Sequence, residues 1–134
     1  MKLALVSAAA ARQERRERLR RDRAAALTLR TVFPAVQQLR LELVFESTSS
    51  STPARQSHVL HPPARAFFEF PCPYADCDGQ FDLTSAVNAA MTDPTLRAEG
   101  MLECVGRRAR GFGSKQACEL RLVYSVAATC QRDA

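Results

Sequence analysis

The chain has no tryptophan, and only two histidines, two tyrosines and five glycines in 134 residues. It has no run of about 18 apolar residues, so no segment is expected to cross a membrane as a helix. No internal repeat is visible, which argues against a solenoid or a repeat array. Gly111-Phe112-Gly113-Ser114-Lys115 has the wrong glycine spacing for a phosphate-binding loop, and no helix is expected after it. Asp76, Asp78 and Asp82 do not form an EF-hand loop, because Cys77 and Gly79 between them suit a tight turn better. With no open metal site and no acid–base pair in view, an enzyme is not expected.

What the chain does have is cysteine, five in all. Four are placed as Cys72-x4-Cys77 and Cys104-x13-Cys118, and Cys130 lies alone in a polar tail, where it reads as a bystander. An odd count leaves one thiol over in a purely disulfide framework. Met1-Lys2 followed by Leu3–Ala11 has the outline of a signal peptide for secretion, but the apolar run is short and seven arginines follow it. A reducing, cytoplasmic setting with a metal site fits better.

Charge is concentrated in two places. The formal net charge is +5. Arg12–Arg23 holds seven arginines against three acids, a net of +4, and Arg107, Arg108, Arg110 and Lys115 add +4 with no acid between them. The rest of the chain is therefore slightly acidic. Such patches suit phosphates or an acidic protein surface, or else they are simply solvated.

Hydrophobic periodicity predicts an α+β fold. Ala8 to Thr31 reads as one long helix, with Glu14–Arg18 and Glu17–Arg21 as i,i+4 pairs and an apolar face only in its second half, through Leu27, Leu29 and Phe33. Pro34 stops it. Leu39–Glu46 alternates as a half-buried strand, Ala66–Phe70 is a second, Gly100–Gly106 a third, and Ala117–Val126 the clearest. Ser47–Pro53 is too polar to bury anything and is expected as a mobile loop. A short helix is expected from Leu83 to Met91, capped by Asp82 or Thr84 and closed by Asp93-Pro94. The organisation expected is a basic helical arm over residues 1–33 and an α+β domain over 34–130 with an antiparallel sheet of about four strands.

If the last two strands form a hairpin turning at Gly111, Leu102 faces Leu120 and Cys104 faces Cys118. Opposed residues on one face have Cβ atoms about 4.5–5.5 Å apart, which suits two sulfurs sharing one ion. A turn through Pro73-Tyr74-Ala75-Asp76 brings Cys72 and Cys77 together. Four thiolates with no other donor describe a closed tetrahedral site, the geometry that Zn²⁺ prefers. Buried thiols without metal, or disulfides, are the alternatives, and His58 or His61 could replace a cysteine as ligand although both read as exposed loop residues.

Over roughly residues 66 to 124 the two cysteine pairs and the strands that carry them resemble the zinc-ribbon class. One knuckle, Cys72-x4-Cys77, matches a typical ribbon, while the second pair is split by the 13-residue gap. The resemblance implies a metal-stabilised sheet of the kind that often contacts nucleic acid or protein. The expected function is a non-enzymatic zinc module that touches RNA or DNA through Arg107, Arg108, Arg110 and Lys115, with Phe112 free to stack on a base. The alternative is an adaptor whose basic N-terminal helix docks on an acidic protein partner.

Overall fold

Alternation along residues 36–47 builds the centre of the fold. The structure is a computed structural model and describes residues 2–47, 50–110 and 114–131 of the chain, without the side chains of 2–9, 11–12, 50–52, 109–110 and 114–115. In chain order the elements are α1 (Lys2–Ala25), α2 (Leu29–Val32), β1 (Val36–Ser47), β2 (Ser50–Leu60), β3 (Glu69–Pro71), β4 (Gln80–Asp82), α3 (Thr84–Thr92), β5 (Arg97–Glu103), β6 (Arg107–Arg110), β7 (Ser114–Ala117) and β8 (Arg121–Cys130). Four of the strands form an antiparallel sheet in the order β2-β1-β8-β5. The fold class is α+β, as the pattern predicts.

From Leu39 to Phe45 every second residue of β1 points inward: Leu39, Leu41, Leu43 and Phe45 are all buried. Across the ladder Leu41 meets Val126 and Phe45 meets Leu122, so the inner faces of β1 and β8 form one apolar floor. Phe68, Phe70, Phe81, Leu83, Val87 and Ala90 complete the same buried cluster. The Phe45 and Phe81 rings sit 5.6 Å apart at a tilt of 52°. Burying each such side chain contributes about 1.5–3 kcal/mol before conformational entropy is counted. Helix α3 packs against β5 and β8. It starts where Asp82 Oδ1 accepts the Thr84 N–H at 2.9 Å, and it stops before Asp93-Pro94, both close to expectation.

The structure corrects several local expectations. Of the segment Ser47–Pro53 expected as a mobile loop, Ser47 ends β1 and residues 50–53 begin the edge strand β2, while residues 48–49 lie outside the described residues; β2 pairs residue for residue with β1 from Leu39↔Leu60 to Phe45↔Ala54. An edge strand satisfies its backbone through the ladder and needs little apolar surface, so a polar sequence suffices. The expected strand at 66–70 contracts to β3, which leaves the main sheet and pairs with β4. Phe68 and Phe70 are nevertheless buried together.

The single helix expected from Ala8 to Thr31 breaks after Ala25 and resumes only for the turn of α2, where the Thr28 hydroxyl accepts the Thr31 N–H. Within α1 the continuous part with described side chains is short, residues 13–25. Leu29 is buried and Phe33 packs on the core, but Leu27 is 62% exposed. Among the described residues no helix is long and apolar enough to cross a membrane.

Candidate metal centre

Two loops converge at one end of the core. In the first, β3 and β4 run together as far as Pro71↔Gln80, which brings Cys72 beside Gly79; the Cys72 N–H donates to the Gly79 carbonyl at 3.0 Å. Between them the chain folds back on itself, with the Cys77 N–H donating to the Tyr74 carbonyl at 3.2 Å. In the second, the small hairpin of β6 and β7 stands between Cys104 and Cys118. The Cys104 N–H donates to the Leu120 carbonyl and the Cys118 N–H to the Gly106 carbonyl, each at 3.0 Å.

The hairpin register differs from the expected one by two residues. Leu102 opposes Leu122, not Leu120, and Arg107 opposes Ala117. Cys104 and Cys118 are thus not a directly opposed pair. A slip of two residues keeps every side chain on its face, so hydrophobic parity cannot detect it. The sulfurs still meet, because both cysteines face the same interior.

The two loops interlock. Cys77 forms an isolated bridge with Arg108, the Asp78 N–H donates to the Arg107 carbonyl at 3.2 Å, and the Arg107 N–H donates to Asp78 Oδ1 at 2.7 Å.

All four sulfurs lie within 4.8 Å of one another, and all four cysteines are buried. The Cys72 and Cys118 sulfurs are 3.9 Å apart and those of Cys77 and Cys104 are 3.6 Å apart. All are free thiols. Each sulfur also has a backbone N–H donor two residues further on: Tyr74 for Cys72, Gly79 for Cys77, Gly106 for Cys104 and Leu120 for Cys118. The Gly79 bond measures 3.3 Å. Such donors favour the thiolate, whereas burial opposes it.

The balance is uneven. The Cys72 thiol donates to Cys104, which holds Cys104 down at about 5 and pushes Cys72 up. Burial raises Cys77 and pushes Cys118 up to about 12. Without an ion, thiolate character is therefore concentrated on Cys104. The four thiols can hold a metal ion.

Two arginines that flank this centre take roles the sequence does not announce. Arg108, expected as a phosphate contact, is engaged inside the protein. Its Nε donates to Asp76 Oδ1 at 2.9 Å, its Nη1 to Glu119 Oε1 at 3.2 Å, and its guanidinium lies 3.8 Å from the centroid of the Tyr74 ring. Tyr74 and Asp76 belong to the Cys72–Cys77 loop and Glu119 follows Cys118, so this one side chain ties both halves of the site together. Arg15 on α1 is only 5% exposed; its Nη1 donates to the Cys77 carbonyl and, at 2.9 Å, to the Gly79 carbonyl. The only signal in the sequence is faint: Arg15 and Leu19 stand four residues apart in an otherwise polar helix, the spacing of one face.

The remaining candidates lie elsewhere. Arg107 is exposed, and Arg110 and Lys115 sit on β6 and β7 with side chains outside the described residues, as is Phe112 entirely. His58 lies on β2 with its ring 4.6 Å from that of Phe70, and neither it nor His61 joins the sulfur cluster. Cys130 ends β8, opposite Val36. Compared with known proteins, the chain matches no protein-family model, no curated protein and no solved structure.

Proposed function

We propose that this protein is a non-enzymatic zinc-binding module of a reducing compartment, and that its basic segments contact nucleic acid. The observation that carries the metal reading is the convergence of four buried sulfurs within 4.8 Å. A tetrahedral Zn²⁺ with Zn–S bonds of about 2.3 Å separates its ligands by about 3.8 Å. The measured separations of 3.9 and 3.6 Å bracket that value. A soft all-thiolate set selects zinc over hard cations such as Mg²⁺ or Ca²⁺, and a closed site with no open position is structural. Four thiolates and one Zn²⁺ would change the formal net charge from +5 to about +3.

The nucleic-acid part is supported by charge placement. Arg16, Arg18, Arg20, Arg21 and Arg23 are exposed on α1, and Arg107 is exposed on β6. Cations of this kind bind phosphates and release counterions. The test has two arms. Protein purified from a reducing host, with metal content measured by mass spectrometry, is expected to carry about one zinc per chain. Binding to single- and double-stranded probes is then followed against salt. A steep negative slope of log K on log salt supports the proposal. No binding to any probe at low salt removes the nucleic-acid half and leaves the adaptor, with α1 docking on an acidic protein.

A further inference from the structure

Arg15 presents an unusual situation. Its guanidinium is almost fully buried, yet its partners are two neutral carbonyls, those of Cys77 and Gly79, and its Nε has none. Among the described residues no carboxylate forms an ion pair with it. Glu14 and Asp78 line the same open cleft, about 590 Å³ in volume, and neither forms an ion pair with Arg15. A buried charge without a counter-charge is strongly unfavourable. The site beside it supplies the missing partner, because four thiolates around a divalent ion carry a net charge of −2.

The contacts are aimed at the ligand backbone. The Gly79 carbonyl that Arg15 grips also accepts the Cys72 N–H at 3.0 Å, and the Gly79 N–H donates to Cys77 Sγ at 3.3 Å. Arg15 therefore holds the peptide units that set the directions of two ligands. From the helix side the link runs through few residues. Within residues 13–25 the only buried side chains are Arg15 and Leu19; the exposed Arg18 adds one bond to Gln80 Oε1 at 2.9 Å, and Arg23 lies 5.2 Å from the centroid of the Phe67 ring.

We propose that Arg15 is a positioning residue for the metal centre, fixing the Cys77–Gly79 turn through its two carbonyls and so making the docking of helix α1 depend on the bound ion. The inference rests on the metal-binding reading. It makes α1, with its five exposed arginines, a reporter of the metal state: docked when the ion is present, released when it is lost.

The experiment uses the full chain and Co²⁺ as the probe, because the charge-transfer bands of Co²⁺ report thiolate ligation. The variants are Arg15→Met, which keeps length and removes charge, and Arg15→Lys, which keeps charge. Metal affinity is read by competition with a chelator, and α1 docking by hydrogen exchange of residues 13–25. In the wild type the tetrathiolate bands are expected, with residues 13–25 protected in the loaded protein and exchanging freely after chelation. Arg15→Met should weaken binding about 10–100-fold, as loss of an outer contact to a ligand does, and Arg15→Lys should recover part of it. Equal exchange of residues 13–25 in loaded and metal-free wild type overturns the inference. This comparison needs no variant to fold. Unchanged affinity in Arg15→Met overturns it too, while the bands in the wild type keep the metal site itself. Absence of those bands from the wild type overturns both.

Discussion

Gly79 and Gly106 lie back to back: a Cβ placed on Gly106 would fall 2.4 Å from both the Cα and the N of Gly79. A Cβ on Gly79 would fall 2.5 Å from the Cys104 sulfur. One glycine belongs to each loop of the metal centre. Their mutual lack of side chains lets the two backbones approach closely enough for four sulfurs to meet.

The first prediction follows from that contact. Gly106→Ala forces backbone against backbone, which no rotamer change relieves. It is expected to lower stability by about 1–3 kcal/mol, the usual cost of overpacking, and to weaken metal binding at the same time. Denaturant midpoints and chelator competition on the same preparation check this. An alanine variant with wild-type values for both would show that the loops can separate without loss.

The second concerns Arg108. Its ion pairs to Asp76 and Glu119 are shielded, with the arginine side chain 14% exposed. Arg108→Ala is expected to cost about 1–3 kcal/mol, because two charge-assisted hydrogen bonds are lost and both carboxylates keep their positions. Arg107→Ala, at an exposed neighbour, should stay within about 0.5 kcal/mol of wild type. In salt titrations of probe binding the order reverses: Arg107→Ala lowers the slope by about one, and Arg108→Ala does so only through unfolding. Thermal melts alongside binding isotherms separate the two effects.

The third concerns the helix. Leu19 is 5% exposed and Leu27 is 62% exposed. Leu19→Ala is expected to cost about 2 kcal/mol, at the low end for a buried leucine because the site is peripheral, whereas Leu27→Ala should change little. Deleting residues 1–23 should lower the melting temperature, since Arg15 and Leu19 go with it. Equal melting temperatures for the deletion and the full chain would refute the docking of α1.

The fourth is a proton count. Cys104 is held down at about 5, while Cys72, Cys77 and Cys118 are pushed up. Near pH 7 the thiols whose affinity for protons is raised keep them in the metal-free cluster, and these protons must leave when four thiolates form. Metal affinity should rise with pH through neutrality, by one log unit per pH unit for each proton released. Calorimetry in buffers of different ionisation enthalpy measures the number directly, and a release near zero would contradict thiolate ligation.

The fifth concerns His58. Burial and then the nearby Arg23 charge hold its ring below the ordinary 6.5, against a smaller upward pull from Glu42. A depressed histidine favours the folded state when neutral. Its contribution is complete above about pH 6.5 and is lost as the pH falls through the lower folded value. Proton NMR titration of the ring should give a midpoint below 6.5, raised in Arg23→Ala and lowered in Glu42→Gln.

The sequence makes the floor of the core plain. Leu39, Leu41, Leu43 and Phe45 alternate without exception, and so do Leu120, Leu122, Tyr124 and Val126, because one face of each strand is buried and the other wet. The four thiols are equally readable by residue type. What escapes is whatever polarity or parity hides. Strand β2 is polar since an edge strand can be; the two-residue slip between Leu102 and Leu122 changes no face; and Arg15 is buried by backbone carbonyls, which carry no residue code.

The position of β8 bears on how the fold is reached. It is the last of the described strands yet it lies between β1 and β5, so β5 has no sheet partner, and β1 only β2, until residues 121–130 arrive. The pairing Glu46↔Arg121 closes a separation of 75 residues. Such non-local closure is slow, because chain entropy is lost before the ladder repays it. An ion that already joined Cys72 to Cys118 would shorten the remaining closure to about 29 residues and lower its entropic cost by about 0.8 kcal/mol. The metal would then act before the native state exists, as a clasp that raises the folding rate of the central strand pair.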